Sequence, residues 1–457
     1  MNNPMHAARF VLVVLVCTLV LACSGERQKA QSNVLLIMTD DLPVSVLEEN
    51  LGSYPNIRAL MQRGVTFENS FVTQPVCCPS RATSLTGMYS HNHHVGQPPE
   101  GGGEMDFRTL EGEALPVIMQ RAGYDTAYIG KYLNGYDGEH RPPGWNLWGG
   151  VEPSRMATFG VDGRNAEGVT HTEVFGKDTA SFIREERGEE PFFVYLATIA
   201  PHEPPAYPAR YDSLFSNEQA PRNAAFNEKD VSDKPRWVRK HPLENAQRIE
   251  AEDDIYRDMA RSMKDVDDMV SVLVGALGEQ GDLDNTYVIL TSDNGFHFGT
   301  HRLPQAKWTA YEEDIRVPLV VAGPGVPEGQ AREQMVLNND LAPTTADWAG
   351  TEMPATDGRS FAELLTGDSP RAWRKRFEVE GAYHPGYRRP PYQAVRTERW
   401  LYVDYETPAQ ELYDLQADPH ELENVAKKKP GVVERLSGQL EDLRACEGQR
   451  CREAEGG

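Results

Sequence analysis

Two pairs of oxygen-bearing side chains stand at the ends of apolar runs. Asp40-Asp41 follows Asn33-Val34-Leu35-Leu36-Ile37-Met38, and Asp293-Asn294 follows Thr286-Tyr287-Val288-Ile289-Leu290-Thr291. Adjacent carboxylates repel unless a cation lies between them. Three Asp and one Asn, with no imidazole or thiolate, are hard ligands that favour Ca²⁺, or Mg²⁺, over zinc. Taken alone, Asp40-Asp41 reads equally as a turn or a helix cap. Between the two pairs lies Cys77-Cys78-Pro79-Ser80-Arg81, a thiol with a guanidinium four residues downstream. Cys77 there is either reactive or an ordinary buried cysteine. Lys131 sits behind Gly130 after a third apolar run, as an anion clamp or a solvated charge. His202 stands in Pro201-His202-Glu203-Pro204, after Pro191-Phe192-Phe193-Val194-Tyr195-Leu196-Ala197, and Lys307 lies in a later loop. Tyr89-Ser90-His91-Asn92-His93-His94-Val95 crowds its histidines too closely for three to hold one ion, so His93 and His94 are read as pocket-lining.

Delivering these groups to one place requires a particular scaffold. Continuous apolar runs bounded by turns read as strands of a parallel sheet buried on both faces. In such α/β sheets ligands gather at the carboxyl ends of the strands, where Asp40, Lys131, His202 and Asp293 would lie. Ala82 to Gly87 reads as a short helix. Tyr256 to Leu277 reads as a long one, with Met259, Met263, Val266, Met269, Val270 and Leu273 on its packed face. Beyond about residue 370 the pattern changes to short alternating pieces, Tyr392 to Arg396 and Trp400 to Tyr405, then Glu411-Leu412-Tyr413-Asp414-Leu415. These predict a small antiparallel sheet, closed by a helix from about Val432 to Ala445. At 457 residues the chain exceeds what one core serves, so residues 33–370 are read as the main domain and 371–457 as a smaller one.

The formal net charge of −23 excludes nucleic acid as a partner, since phosphate binding needs a basic footprint. An anionic substrate must be captured by a few local cations. Residues 1–22 end in an apolar run too short to span a bilayer comfortably and suited to a signal peptide. Val20-Leu21-Ala22-Cys23 resembles a bacterial lipobox, so Cys23 is read as the acylated start of the mature chain, with a plain secretory signal as the alternative. Residues 23–32 are a polar tether, and on either reading the protein is exported to the periplasm or cell surface. Cys446 and Cys451 close a short loop in that oxidising setting, which favours a disulfide over metal binding.

Cys77-Cys78-Pro79-Ser80-Arg81-Ala82-Thr83-Ser84-Leu85-Thr86-Gly87 resembles the signature of type I sulfatases, Cys-x-Pro-Ser-Arg-x-x-x-Leu-Thr-Gly, at every specified position. The resemblance continues through Thr39-Asp40-Asp41, Gly130-Lys131-Tyr132, Ala200-Pro201-His202, Ser292-Asp293-Asn294-Gly295, the Lys307 segment and Glu411 to Leu415. It implies an alkaline-phosphatase-like fold, a mixed, mostly parallel sheet sandwiched by helices. It also implies that a maturation enzyme oxidises Cys77 to formylglycine, whose hydrate attacks sulfur. Asp40, Asp41, Asp293, Asn294 and the modified Cys77 would bind Ca²⁺; Arg81, Lys131, His202 and Lys307 would surround the sulfate; His93, His94, Asn134 and His297 would meet the substrate. Cys77 to Arg81, His91 to Val95 and Gly130 to Asn134 look like the N-acetylglucosamine-6-sulfatase and heparan 6-endosulfatase branch, which implies a sulfated sugar as substrate. Leu133 departs from the histidine that many sulfatases carry there, leaving proton handling to Asn134, His202 or the His91 to His94 group. A phosphonate or phosphate ester hydrolase of the same superfamily, and a catalytically silent glycan-binding lipoprotein, are the alternatives.

Overall fold

A computed structural model describes residues 31–96, 107–136, 140–151, 165, 168–367, 372–382, 384, 386 and 388–456. The leader, Cys23, most of the tether and the Gly101-Gly102-Gly103 loop lie outside the described residues. Gln31–Gly457 forms one compact unit.

The strands in chain order are β1 (Asn33–Thr39), β2 (Val65–Phe67), β3 (Ser70–Phe71), β4 (Asp125–Lys131) and β5 (Leu147–Val151). There follow β6 (Phe192–Ala197), β7 (Thr286–Ser292), β8 (Leu319–Ala322), β9 (Gln330–Arg332) and β10 (Val336–Leu337). The C-terminal strands are β11 (Arg376–Gly381), β12 (Tyr392–Thr397), β13 (Trp400–Tyr405) and β14 (Gln410–Asp414). Eight of them form one sheet in the order β5-β4-β6-β1-β7-β8-β2-β9. The five strands from the β5 edge to β7 are parallel, while β8 runs antiparallel to both β7 and β2, so the sheet is mixed.

β1 shows why its sequence has no polar alternation. Val34, Leu36 and Met38 enter one core, and Leu35 and Ile37 enter the other, all fully buried. Successive side chains of a strand point to opposite faces, so a sheet covered on both sides needs an unbroken apolar run. The Ala246–Gln280 and His171–Ile183 helices cover one face. The Cys77–Thr86, Leu115–Arg121 and Leu341–Trp348 helices cover the other.

Two local expectations shift. The helix after the signature begins at Cys77, not Ala82, because Pro79 falls in its first turn, where a missing N–H costs no intrahelical bond. The long helix starts ten residues before Tyr256, at Ala246, capped by the Asn245 side chain accepting from the Arg248 amide. The C-terminal strands pair antiparallel in the order β11-β12-β13-β14, with the Pro430–Arg444 helix packed on them. Arg374, ahead of β11, is fully buried and donates to Asp340, just before the Leu341–Trp348 helix, and to Glu455 near the C-terminus, tying the start of this sheet to a helix of the main layer.

Candidate active site

Strand register brings the distant acidic pairs together. Thr39 of β1 lies opposite Ser292 of β7, so the next residues, Asp40 and Asp293, leave the sheet side by side. The Asp293 amide donates to the Thr39 carbonyl at 3.1 Å, and the Asp41 amide to Asp293 Oδ1 at 3.1 Å. Ser292 Oγ locks the corner, accepting from the Leu42 amide at 3.0 Å and donating to the Asn294 carbonyl at 2.9 Å. Asp41 takes a left-handed backbone, φ 63°, which short polar side chains tolerate best among non-glycine residues. β4 and β6, parallel neighbours on the other side of β1, contribute Lys131 and His202 at the same edge.

Cys77, in the first turn of its helix, faces these groups. Its Sγ is 3.3 Å from Asp40 Oδ1 and 3.7 Å from Asp41 Oδ1, and Lys307 Nζ donates to it at 2.7 Å. Lys307 also pairs with Asp41, and Lys131 with Asp40. Arg81, one turn on, donates Nε to Asp293 Oδ2 at 2.8 Å and Nη1 to the Lys131 carbonyl at 2.9 Å. Three carboxylates are thus matched by three cations, all buried. Burial pushes the Asp40 carboxyl up, but Lys131, His202 and Arg81 outweigh it and hold the group down at about 2. Burial, reinforced by Asp40, pushes the Cys77 thiol up. The Lys307 ammonium is raised despite its burial, chiefly by Asp41.

A divalent ion fits this donor set. Asp40, Asp41, Cys77 and His202 each offer a ligand atom within 4.8 Å of one another. Asn294 donates through Nδ2 to Asp41 Oδ1 at 2.7 Å, while its buried Oδ1 has no hydrogen-bond partner, an expensive arrangement unless a cation is its intended neighbour. The Arg81 Nη2 is likewise buried without one. His202 is the accessible member: its Nε2 lies 3.7 Å from Asp41 Oδ2, with the side chain 36% exposed.

Not every expected residue reaches the substrate side. His93 is buried behind the signature helix, its Nε2 at 2.9 Å from Thr83 Oγ1 and its Nδ1 accepting from the Val95 amide at 3.0 Å. Burial pushes this imidazole down to about 3, so it is a neutral strut and not a pocket residue. His297 is corrected in the same way. Its Nδ1 is 2.8 Å from Asp314 and its Nε2 is 2.9 Å from the Pro304 carbonyl, which uses both ring nitrogens. It exchanges two backbone hydrogen bonds with Ala306 and thereby positions Lys307. His94 and Asn134 are exposed, and Leu133, where a histidine is common, is fully buried in the core. Glu203 was not singled out: burial raises its carboxyl, and His202, beside it in sequence, draws it down. Its only sequence signal was that adjacency. Cys446 and Cys451 are joined in a disulfide.

The sulfatase family model matches residues 32–351, and the model of the N-sulphoglucosamine sulphohydrolase C-terminal region matches residues 299–446. An N-acetylglucosamine-6-sulfatase of Capra hircus is 34% identical over 491 residues, covering 94% of this chain and 86% of that protein. The fold is shared with a solved structure described as in complex with its substrate D-glucosamine-2-N,6-O-disulfate. That match has a TM-score of 0.72 at 22% identity and covers 93% of this chain and 98% of the other. It is shared equally with a phosphonate monoester hydrolase of Agrobacterium radiobacter, at a TM-score of 0.73 and 24% identity, covering 92% and 96%. With a family model spanning most of the chain and a relative matched nearly end to end, the chain belongs to the sulfatase family, enzymes that hydrolyse sulfate esters.

Proposed function

We propose that this sulfatase removes the 6-O-sulfate of glucosamine or N-acetylglucosamine in short glycosaminoglycan or mucin-type oligosaccharides, as an exported protein. The observation that carries the reading is the meeting of Cys77 with Asp40, Asp41 and Lys307 at the sheet edge, in a chain 34% identical to an N-acetylglucosamine-6-sulfatase. Asp40, Asp41, Asp293 and Asn294 would hold Ca²⁺, and Cys77 would be oxidised by a maturation enzyme to formylglycine. Together these groups would supply a nucleophilic oxygen and a Lewis acid.

The remaining roles belong to the chain's own side chains. Lys131 and Lys307, whose partners Asp40 and Asp41 would hold the ion, would offer the sulfate oxygens matching positive charge. Arg81, fixed between Asp293 and the Lys131 carbonyl, holds the lysine backbone and the metal carboxylate in one frame. His202 Nδ1–H donates to the Glu203 carbonyl at 2.6 Å, which leaves Nε2, partly open to solvent, to hold the proton given to the departing sugar oxygen. The acid role left vacant by Leu133 therefore falls to His202.

A panel of position-defined sulfated sugars, each with its phosphate ester counterpart, tests the proposal. Preferred release of sulfate from carbon 6 of glucosamine is expected. Preference for the phosphate esters would favour the phosphonate or phosphate ester hydrolase instead. No turnover of any ester, with a Cys77 peptide that keeps its thiol mass, would favour the silent glycan-binding alternative, in which Cys77 is never oxidised.

A further inference from the structure

Apart from the catalytic cluster, His91 meets two glutamates of β11. Glu378 and Glu380 are two residues apart and so share a face of the strand. His91 Nδ1 is 3.1 Å from Glu380 Oε1 and 3.5 Å from Glu378 Oε2. Side-chain exposure is 0% for Glu378, 4% for Glu380 and 15% for His91. Neither oxygen of Glu378 has a hydrogen-bond partner, although both are buried and Oε2 faces the imidazole. On the other side of the ring, Nε2 lies 3.2 Å from the Cys446 carbonyl. A carbonyl can only accept, so Nε2 carries a proton, and in the neutral ring Nδ1 turns its lone pair toward the two carboxylates. Three electron-rich groups converging in a buried space repel unless a metal cation or a second ring proton lies among them. Arg444, a cation that Glu378 senses, is engaged by Asp404 at 3.1 Å.

We propose that His91, Glu378 and Glu380 form a second metal site, for a divalent ion of the Zn²⁺ or Mn²⁺ class. Ligands at about 2.0–2.1 Å from a tetrahedral ion stand roughly 3.3 Å from each other, and the two measured separations bracket that value. An imidazole whose far nitrogen is held by a carbonyl is the usual way a ligating histidine is oriented. One nitrogen among carboxylate oxygens selects such an ion over Ca²⁺. Cys446 and Cys451, close by, are bonded to each other and contribute no thiolate. An ion here ties the Ser90–His93 helix, which follows the signature helix, to the C-terminal sheet. The competing arrangement is a doubly protonated His91 shared by the two carboxylates, with no metal.

The full chain, stripped by chelator and resaturated with Ca²⁺, is dialysed against Zn²⁺ or, separately, Mn²⁺ in Ca²⁺ excess. The expected result is one equivalent of Zn²⁺ or Mn²⁺ retained beyond the Ca²⁺, with a raised Tm. The zinc absorption edge should report nitrogen and oxygen neighbours without sulfur. Glu378→Gln and Glu380→Gln should each lose that equivalent while keeping the wild-type circular dichroism. Should Glu378→Gln not fold, Glu380→Gln, which retains some solvent contact, decides. Wild type that retains no such ion, or a folded Glu380→Gln that still retains it, overturns the proposal.

Discussion

At the scale of single residues, Cys77 is held by groups that have no use for an ordinary thiol: two carboxylates, an ammonium and a helix start. Cys77→Ala should abolish turnover of an aryl sulfate, with Tm and circular dichroism close to wild type. Mass spectrometry of the wild-type Cys77 peptide should show the loss expected for thiol-to-aldehyde conversion. Turnover persisting in the variant would remove Cys77 from the chemistry. Asp265 allows a test of pH dependence away from the site. Burial pushes its carboxyl up to about 7, against 3.8 for the free group, and Oδ1 has no hydrogen-bond partner. The native state therefore keeps a proton that the unfolded chain releases. Stability contributed by Asp265 is complete below about pH 4 and is lost as pH rises through about 7. Asp265→Asn, which can still accept from the Thr170 hydroxyl at 2.5 Å, should flatten that slope. At pH 8 it should gain up to about 4 kcal/mol, a figure already net of the opposing pull of Arg210, 3.6 Å away. Urea unfolding at pH 5 and pH 8 measures it, and equal slopes in variant and wild type would contradict it.

At the scale of elements, the site depends on how closely β4 and β6 approach. Gly130 has φ 109°, and a Cβ built there would lie 1.9 Å from the Ala197 carbonyl oxygen. Only glycine fits, and the next residue is Lys131. Gly130→Ala should force the strands apart, cost roughly 2–3 kcal/mol and lower kcat by displacing the ammonium from Asp40. Thermal melts and kinetics at saturating substrate check both, and wild-type values in each would show that the strands adjust freely. The end of the sheet that carries Asp40, Lys131, His202 and Asp293 was legible in the sequence because buried parallel strands are continuous apolar runs, and these runs are followed by an oxygen or a cation. The start of the signature helix was not legible: Pro79 looks like a breaker until it is placed in a first turn. Histidine roles were illegible for a different reason. Residue type says nothing about which ring nitrogens are spent, and His93 and His297 spend both on Thr83, Val95, Asp314 and Pro304. His91 and Glu378 are 287 positions apart in sequence and meet only because the C-terminal sheet packs beside the signature helix, so no local pattern announces them.

At the scale of the whole molecule, the chain sets a charge-balanced cluster, three cations against three carboxylates, within a strongly acidic body. Arg81, Lys131 and Lys307 are buried at the sheet edge, while the formal charge of the whole is −23. A small sulfated sugar need only reach Lys131 and Lys307, whose ammonium groups would be left to meet its sulfate if Asp40 and Asp41 hold a divalent ion. An intact sulfated polymer must also approach a body of net charge −23, and each additional sulfate adds repulsion. That repulsion acts between solvent-exposed charges and is screened over a Debye length of about 8 Å at physiological ionic strength. The interactions at the buried Lys131 and Lys307 are shorter and poorly hydrated, so salt weakens them less. Raising NaCl from low to physiological concentration should therefore increase kcat/KM on polymeric substrate several-fold, and leave kcat/KM on a mono- or disaccharide 6-sulfate nearly unchanged. The opposite dependence, with polymer turnover falling as salt rises, would mean that a basic surface track guides the chain in, and would contradict the reading of the net charge from which the preference for short oligosaccharides is drawn.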